Sequence, residues 1–370
     1  MSNLEKLIQE LCPNGVEYKL LEQICTVKTG KGITKKDGSA DGIFPIISGG
    51  LEPMGYYHTY NREKDTVTIS RVGVNAGFVN YITERFYLND KCFSVIPILD
   101  YLENLNTKYL FYALKAVEEE IVNLQSEGGV PTINTQKVYN ISVPIPPIEV
   151  QEEIVRILDN FTELTAELTA ELTARKKQYE YYRNELLKFD DSISRVKISE
   201  VARVSRGIRV VKSQLDISNK YPVYQNSLVP LGYHDKTNCS ANTPFVISAG
   251  AAGEIGFSNV DYWAADDCLC FTVQSKLNNK FLYYVLMTNA SYIKSRVRKA
   301  SIPRLSRNVI DNLVIPLPPL EEQERIVSIL DRFDALCNDI TAGLPAEIEA
   351  RKKQYEYYRD KLLTFEEKIA

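Results

Sequence analysis

The stretch PIPPIEVQEEIVRILDNF at residues 144–161 decides the fold, because the chain repeats it as PLPPLEEQERIVSILDRF at residues 316–333. A second stretch, ARKKQYEYYR, occurs at residues 174–183 and again at residues 350–359. Self-similarity at a fixed spacing indicates duplicated structural units. The chain of 370 residues is therefore predicted to be a tandem duplication.

Similarity ahead of the two repeats is weaker but keeps its order. Residues 109–114 (YLFYAL) match residues 281–286 (FLYYVL), and residues 27–30 (VKTG) resemble residues 204–207 (VSRG). Thr68–Ser70 resembles Val246–Ser248 in the same way. The two repeated stretches are thus strongly alike, whereas the two segments ahead of them are only loosely alike. We expect the first pair to share one task and the second pair to differ in theirs.

The prolines at 144, 146 and 147 cannot lie inside a helix, so they mark the start of a helix of about 40 residues, about 60 Å long. Apolar residues then fall largely on a three-four spacing, which predicts a coiled-coil seam. The seam consists of Ile154, Leu158, Phe161, Leu168, Leu172, Tyr179, Tyr182, Leu186 and Phe189.

The second copy of this helix repeats the pattern. Its seam consists of Leu330, Phe333, Ile340, Leu344, Ile348, Tyr355, Tyr358, Leu362 and Phe365. Gly343 and Pro345 are expected to bend or break this copy near its middle. A lone seam favours an oligomerisation helix, whereas two copies in one chain favour antiparallel pairing within the chain. We assign the tyrosines of both YEYYR stretches to packing.

The segments between the helices are predicted to be mixed α/β domains, with short β-rich runs and one helix in each. The runs include Thr66–Ser70, Phe93–Ile96 and Cys270–Val273, the helices lie around 109–124 and 281–297, and a short helix spans Leu4–Leu11. The predicted organisation is a recognition domain at 1–146, a helical spacer at 147–190, a second domain at 191–318 and a second spacer at 319–370.

Composition limits the kinds of protein that this chain can be. Hydrophobic residues make up 44% and charged residues 25%, which indicates compact folding. No stretch approaches the roughly 20 apolar residues of a membrane span, and the first residues lack a signal-peptide pattern, so we expect a cytoplasmic protein. The seven cysteines include no CxxC pair, which favours buried apolar residues over metal ligands or disulfides.

A net charge of -4 counts mildly against nucleic-acid binding, but basic residues cluster locally. A Gly-containing loop in the first half carries Lys28, Lys31, Lys35 and Lys36, and the corresponding place in the second half carries Arg203, Arg206, Arg209 and Lys212. A third cluster lies within residues 294–307, whereas its counterpart at 122–135 has no basic residue. A solvated surface is the alternative interpretation of such clusters.

Two further pairs of loops have suitable chemistry for DNA. Residues 47–50 and 224–227 carry polar side chains that can contact base edges, and residues 71–77 and 249–256 are Gly-rich loops whose N–H groups can approach a phosphate. Ordinary turns remain an alternative. The candidate DNA-binding residues are Lys28, Lys31, Lys35, Lys36, Ser48, Arg71, Asn75, Arg206, Arg209, Lys212, Gln225, Asn226, Arg296, Arg298, Lys299, Arg304 and Arg307.

Motifs for catalysis are missing from the sequence. The Pro-Pro pairs are followed by Ile148 and Leu320, not by the aromatic residue of an adenine methyltransferase motif. No GxxxxGK[ST] phosphate loop occurs. His58 and His234 follow matching Gly-Tyr stretches, but without a nearby nucleophile pattern a structural role is favoured. We expect no catalytic, cofactor-binding or metal-binding residue in this chain.

Two domains that differ, each followed by a PxPP helix that does not, resemble the specificity subunit of Type I restriction-modification systems over essentially the whole chain. The blocks PIPPIEVQEEIVRILD and PLPPLEEQERIVSILD are the most specific part of this resemblance. The resemblance implies two target-recognition domains that each recognise one half of an asymmetric, bipartite site in double-stranded DNA.

The resemblance also implies partners. Two methyltransferase (M) subunits would bind the helical regions and methylate adenine with S-adenosylmethionine, and restriction (R) subunits would add cleavage that depends on ATP and Mg. The alternative is a stand-alone DNA-binding regulator that dimerises through its helices.

The central helix contains a tandem tetrad, TAEL at residues 165–168 and again at 169–172. Four residues add about 6 Å to a helix and slightly more than one turn. We hypothesise that deleting one tetrad shortens the gap between the half-sites of the recognised DNA without changing the half-site bases.

Overall fold

The computed structural model of the chain describes residues 3–126, 128–339 and 342–368. The chain folds into two compact units. The first unit comprises Met1–Leu168 and Ile348–Ala370, and the second comprises Thr169–Glu347. Each unit therefore combines one globular segment with parts of both repeated helical segments.

The described residues of the first unit begin with a short helix and contain nine strands. Its elements are α1 (Asn3–Leu11), β1 (Tyr18–Leu20), α2 (Leu21–Ile24), β2 (Cys25–Thr29), β3 (Phe44–Ile47), β4 (Tyr56–Tyr57), β5 (Thr66–Ser70), β6 (Val79–Ile82), β7 (Tyr87–Leu88), β8 (Cys92–Pro97), α3 (Thr107–Ala116), α4 (Glu118–Asn123), α5 (Thr135–Tyr139), β9 (Ser142–Pro144) and the start of α6 (Ile148–Leu186).

The strands of the first unit form an antiparallel sheet in the order β2-β8-β5-β6, a three-stranded sheet in the order β4-β3-β7 and a β1-β9 pair. All five residues of β5 are buried, because β5 lies inside its sheet and α3 packs against it. Its β-branched sequence TVTIS suits such a position. The hydrophobic core includes Val67, Phe93 and Tyr109, each less than 1% exposed.

The second unit repeats this plan. Its elements are the end of α6, β10 (Arg195–Lys197), α7 (Ile198–Val201), β11 (Ala202–Arg206), β12 (Tyr221–Tyr224), β13 (Gly232–His234), β14 (Thr243–Ile247), β15 (Ile255–Ser258), β16 (Trp263–Ala264), β17 (Cys268–Val273), α8 (Asn279–Thr288), α9 (Ala290–Ser295), α10 (Arg307–Asp311), β18 (Val314–Pro316), α11 (Leu320–Asn338) and the start of α12 (Leu344–Leu363). The remainder of α12, from Ile348, belongs to the first unit.

The sheets of the second unit have the orders β11-β17-β14-β15, β13-β12-β16 and β10-β18, which match the first unit strand for strand. The predicted mixed α/β duplication and all three predicted strands are confirmed. The helix predicted in each domain is instead two short helices, α3 with α4 and α8 with α9. The breaks lie at Val117 and Asn289, whose ψ angles of 19° and 8° are outside the helical range.

The long helix predicted after Pro147 is confirmed as α6, which is continuous over 39 residues. The second copy is broken, as predicted, between the end of α11 and the start of α12. Gly343 lies at the break, where an added Cβ would lie 2.5 Å from the Ala335 carbonyl oxygen. Pro345 lies in the first turn of α12, where its missing N–H costs nothing. Ile340, predicted for the seam, lies outside the described residues.

Aromatic side chains of the seam pack as expected. In the first unit Phe161 stacks on Tyr358 with ring centroids 5.4 Å apart, and in the second Tyr182 stacks on Phe333 at 5.5 Å. As residue numbers rise along α6, those of the partners fall, as antiparallel pairing requires. The assignment of every YEYYR tyrosine to packing is wrong for Tyr181 and Tyr357, which are each 62% exposed.

A fully buried glutamine attaches each long helix to the globular part of its unit. The Gln151 side chain accepts a hydrogen bond from the Asn106 backbone N–H at 2.9 Å and donates to the carbonyl oxygens of Asn104 and Pro146. Gln323 makes the equivalent set of bonds in the second unit. Because buried polar groups require partners, each glutamine fixes the start of its helix against the loop before α3 or α8.

An aspartate two turns later strengthens this attachment. Asp159 accepts a hydrogen bond from the Tyr112 hydroxyl at 2.6 Å and pairs with the Lys108 ammonium at 2.7 Å. Asp331 likewise accepts from the Tyr284 hydroxyl. Burial and the carboxylate raise the pKa of both phenols. We call Gln151 with Asp159, and Gln323 with Asp331, the Gln–Asp anchor.

No helix within the described residues combines the length and the apolar character that crossing a membrane would require.

Candidate nucleic-acid interface

Four loop segments of the first unit are joined by hydrogen bonds. The Lys31 N–H donates to the Leu88 carbonyl at 3.0 Å, which holds the basic loop after β2 against the end of β7. The next residue, Asn89, donates its backbone N–H to the Ile47 carbonyl at 2.8 Å, which brings in the polar loop after β3.

The Gly-rich loop at 71–77 joins the same group. The Asn75 side-chain amide donates to the Gly49 carbonyl at 3.2 Å, and the Gly73 N–H donates to the Pro131 carbonyl at 3.0 Å. The second bond adds a turn that closes between Ser126 and Thr132, where the Ser126 N–H donates to the Thr132 carbonyl at 2.9 Å. We call residues 126–132 the first hairpin.

The second unit joins the same four segments, although a backbone N–H replaces the Asn75 side-chain amide as the donor to the polar loop. The Ile208 N–H donates to the Ala264 carbonyl, and the Ala265 N–H donates to the Tyr224 carbonyl, both at 2.9 Å. The Ala251 N–H donates to the Asn226 carbonyl at 2.9 Å. The Gly250 N–H donates to the Pro303 carbonyl at 3.2 Å, within a turn that we call the second hairpin, residues 298–304.

Two glycines are needed where the basic loop crosses the neighbouring strand. A Cβ at Gly30 would lie 1.9 Å from the Leu88 carbonyl oxygen, and one at Gly207 would lie 2.2 Å from that of Ala264. No side chain fits at either distance. These contacts confirm that residues 27–30 correspond to residues 204–207.

The hydrogen bonds correct one equivalence. The sequence pairs Ser70 with Ser248, but Ser248 matches Arg71, because the carbonyls of Arg71 and Ser248 accept from the Ile133 and Leu305 N–H groups at 2.9 and 2.8 Å. The pairing of Ser70 with Ser248 predicts a register that is wrong by one residue. Backbone hydrogen bonding, and not the similarity of side chains, sets the register of a sheet.

The candidate residues of the first unit differ in accessibility. The four lysines at 28, 31, 35 and 36 are exposed. The Ser48 side chain is buried and bonds to the Asn89 side chain at 3.3 Å. The Arg71 guanidinium donates to the Asp90 carbonyl and lies over the Phe93 ring. Ser48, Arg71 and Asn75 thus hold the loops together, while the lysines face solvent.

In the second unit, Arg206, Arg209, Lys212 and Asn226 are exposed and Gln225 is half-buried. Four more exposed cations lie on or just before the second hairpin: Arg296, Arg298, Lys299 and Arg304. Arg307 lies apart from them on α10, where its guanidinium pairs with the Asp311 carboxylate at 2.9 Å. The hydrogen bonds thus join the loops that carry Arg209, Gln225, Asn226 and the hairpin cations, whereas Arg307 lies apart from them.

Two asparagines that were not predicted from the sequence also support these loops. The Asn61 side chain accepts from the Leu88 N–H at 2.7 Å and donates to its carbonyl at 3.1 Å. Asn238 bonds in the same way to the N–H and carbonyl of Ala264, at 2.7 and 2.8 Å. Each asparagine lies six residues after the matched glycines Gly55 and Gly232, so the repeat did contain the signal.

The burial and the neighbours of the histidine and cysteine side chains near the loops determine their environment. His234 is buried and stacks on Trp263 with ring centroids 4.7 Å apart, whereas His58 is exposed. Burial raises the pKa of the Cys92 and Cys268 thiols to about 12. The Cys239 thiol is half-buried, and a hydrogen bond with Cys270 lowers its pKa. Within 3–126, 128–339 and 342–368, no three His, Cys, Asp or Glu side chains form a metal site.

The chain is similar in sequence to known proteins of one family. The family model described as Type I restriction modification DNA specificity domain matches the chain twice, at residues 13–175 and 192–350. A protein of Haemophilus influenzae named as a type I restriction enzyme specificity subunit is 31% identical over 394 residues, which cover 98% of each chain.

Two solved structures share the fold. The S subunit of a Type I restriction-modification system from M. genitalium gives a TM-score of 0.69 at 18% identity, covering 94% of this chain and 96% of that one. A chain from a study of complex assembly and conformational transition in the type I R-M system gives a TM-score of 0.61 at 17% identity, covering 95% and 98%.

Proposed function

This chain belongs to the family of Type I restriction-modification DNA specificity subunits, whose role is DNA recognition and not catalysis, and we propose that its two units recognise the two halves of an asymmetric, bipartite site. Partner subunits would then methylate adenine within this site and cleave DNA with ATP and Mg. S-adenosylmethionine and ATP belong to those partners in this proposal.

The observation that carries the proposal is the joining of the same four loop segments in both units with different side chains. The donor–acceptor distances of the corresponding backbone hydrogen bonds in the two units agree within a few tenths of an ångström. The polar loops nevertheless read Ser48-Gly49 in one unit and Gln225-Asn226 in the other. A constant scaffold with variable loops is typical of recognition sites, and different side chains select different base edges.

The continuous helix α6 supports the bipartite character of the site. It passes without a break from the first unit into the second, so the number of its residues can set the number of base pairs left unread between the half-sites.

Two exposed tyrosines support docking of two identical methyltransferase subunits. Tyr181 and Tyr357 occupy the same position of the repeated decapeptide, and each is 62% exposed on its helix. Exposed tyrosines are frequent anchors at protein interfaces. Because both copies keep this residue without using it in the seam, we propose that each anchors one methyltransferase subunit.

Co-expression with an adenine methyltransferase subunit of the same kind of system, in a host without DNA methylation, tests the recognition function. Mapping modified adenines across the genome should yield one split motif that is methylated on both strands. A complex that forms and leaves the genome unmodified would contradict the proposal and favour a stand-alone DNA-binding regulator.

The docking proposal has its own test. The variants Tyr181→Ala and Tyr357→Ala should each reduce co-purification of the methyltransferase to about one copy per chain, and the double variant should abolish it. Tyr60→Ala, at another exposed tyrosine, is the control. Full co-purification with the double variant would exclude the two tyrosines as anchors.

A further inference from the structure

The two hairpins lie in segments of opposite charge. Matched through residues 109–114 and 281–286, the segment 118–134 of the first unit contains four glutamates and no Lys or Arg. The corresponding segment 290–306 of the second unit contains five Lys or Arg residues and no Asp or Glu. The same place in the fold is therefore acidic in one unit and basic in the other.

The two hairpins share one closing backbone hydrogen bond. The Arg298 N–H donates to the Arg304 carbonyl at 2.8 Å, as the Ser126 N–H donates to the Thr132 carbonyl at 2.9 Å. Arg298 corresponds to Ser126 and Arg304 to Thr132. The difference between the hairpins therefore lies in their side chains.

The two arginines of the second hairpin lie directly opposite each other. Arg298 and Arg304 exchange both backbone hydrogen bonds, at 2.8 and 3.2 Å, which makes them a hydrogen-bonded antiparallel pair. The Cα atoms of such a pair are about 5.5 Å apart, and both side chains project from the same face. Like charges at this position destabilise a hairpin unless an anion neutralises them.

No such anion comes from the described part of the chain. Arg298, Lys299 and Arg304 are exposed, and none of them takes part in an ion pair among residues 3–126, 128–339 and 342–368. Arg307, which does have a carboxylate partner, shows that acidic residues pair with arginine elsewhere in this unit. The charge on the second hairpin is thus left for an external polyanion.

The hairpin also lies beside the loops that carry the other candidates. Its Pro303 carbonyl accepts from the Gly250 N–H at 3.2 Å, and the neighbouring Ala251 N–H donates to the Asn226 carbonyl. The exposed Asn226 side chain and the Arg298–Arg304 pair are therefore linked through a single short loop. A DNA backbone held by the arginines would run beside the residues that can contact bases.

We propose that the second hairpin is a phosphate-binding arm for double-stranded DNA that the first unit lacks, so that the two units contribute unequally to the salt-dependent part of DNA affinity. This inference rests on the proposed function. In the first unit the exposed lysines at 28, 31, 35, 36 and 91 offer phosphate contacts, but its hairpin segment has no Lys or Arg, whereas the second unit has basic residues at both its loop and its hairpin.

The salt dependence of DNA binding tests this inference. The full-length chain and its variants are titrated with a duplex of about 40 base pairs and random sequence, at several salt concentrations. Each lost phosphate contact reduces the slope of log affinity against log salt by about 0.9. The double variant Arg298→Ala/Arg304→Ala should therefore have a slope about 2 less negative than the wild type. Arg298→Lys/Arg304→Lys should keep the wild-type slope.

The matched control is Ser126→Ala/Thr132→Ala in the first hairpin, which should leave the slope unchanged. An unchanged slope in the arginine-to-alanine variant, with wild-type binding intact, would overturn the arm and leave the proposed function standing. Failure of the wild-type chain to bind duplex DNA at any salt concentration would overturn both.

Discussion

The two units share the same backbone scaffold but differ in the side chains that it exposes. The Gln–Asp anchor, the strand order and the backbone bonds between the loops are the same in both. The segments that contain the hairpins differ, from acidic in the first unit to basic in the second. Scaffold positions are constrained because their polar groups are buried and must be paired, whereas exposed side chains can change without loss of stability.

Deleting one TAEL tetrad, residues 165–168, should have the largest effect on DNA recognition, because it shortens the helix that connects the two units. The deletion tests whether each unit recognises its half-site independently. The deletion shortens α6 by about 6 Å, so methylation of the original site should be lost and a motif with a gap shorter by about one to two base pairs should replace it. Methylome mapping measures this. Thr165→Ala, which keeps the helix length, should leave the motif unchanged. A deletion variant with the original gap would refute a spacer role for α6.

Removing the anchor should affect both units to the same extent. Gln151→Leu leaves the Pro146 carbonyl buried without a partner and removes the partner of the part-buried Asn106 N–H and of the Asn104 carbonyl, which should lower the free energy of unfolding by about 2–4 kcal/mol. Gln323→Leu should have a similar effect. Urea unfolding of the full chain measures both.

The exposed Gln136 provides the control for the anchor variants, and Gln136→Leu should change stability by less than about 0.5 kcal/mol. If Gln151→Leu and Gln323→Leu differed by more than about 2 kcal/mol, the two anchors could not be regarded as equivalent.

Adding positive charge to the first hairpin should make the two units more alike in their contribution to the salt dependence of DNA binding. Ser126→Arg/Thr132→Arg places an arginine pair where the second unit has one, so the slope of log affinity against log salt should become about 2 more negative. The same duplex titration measures it, with Ser126→Gln/Thr132→Gln as the neutral control. No change in slope would indicate that the first hairpin does not reach the DNA backbone.

Cysteine reactivity should reveal a smaller difference between the units. The Cys239 thiol is half-buried and its pKa is lowered by the hydrogen bond with Cys270, so its thiolate forms at a lower pH than that of an ordinary thiol. Buried Cys92 in the first unit has a pKa of about 12 and stays protonated. Labelling with iodoacetamide between about pH 7 and 9 should therefore modify Cys239 first.

Mass spectrometry of the labelled peptides identifies the modified residue, and Cys239→Ser should abolish the fast phase. Modification of Cys92 before Cys239 would show that the first unit opens more readily than the second.

Much of the fold could be predicted because the repeat is nearly verbatim. The spacing of apolar residues after Pro147 predicted α6, and Gly343 with Pro345 predicted the break between α11 and α12. The break in each domain helix was missed, because Val117 and Asn289 leave the helical range without a Gly or Pro to mark the position.

The candidate site could be predicted at the level of loops. The exposed lysines and arginines were found because clustered charge is visible along the chain, but Ser48 and Arg71 could not be separated from them, since burial depends on distant residues. Asn61 and Asn238 were missed for the same reason: their partners are 27 and 26 residues away along the chain.

The sequence by itself determined the duplication, the family and the opposite charge of the two hairpin segments, because repeats, motifs and charges are local properties of the chain. Tertiary structure alone decided that Arg298 and Arg304 face each other across a hairpin, that Arg307 lies apart with Asp311, and that Gln151 and Gln323 are buried. Each of these facts depends on hydrogen bonds and packing between segments far apart in sequence, which no local pattern records.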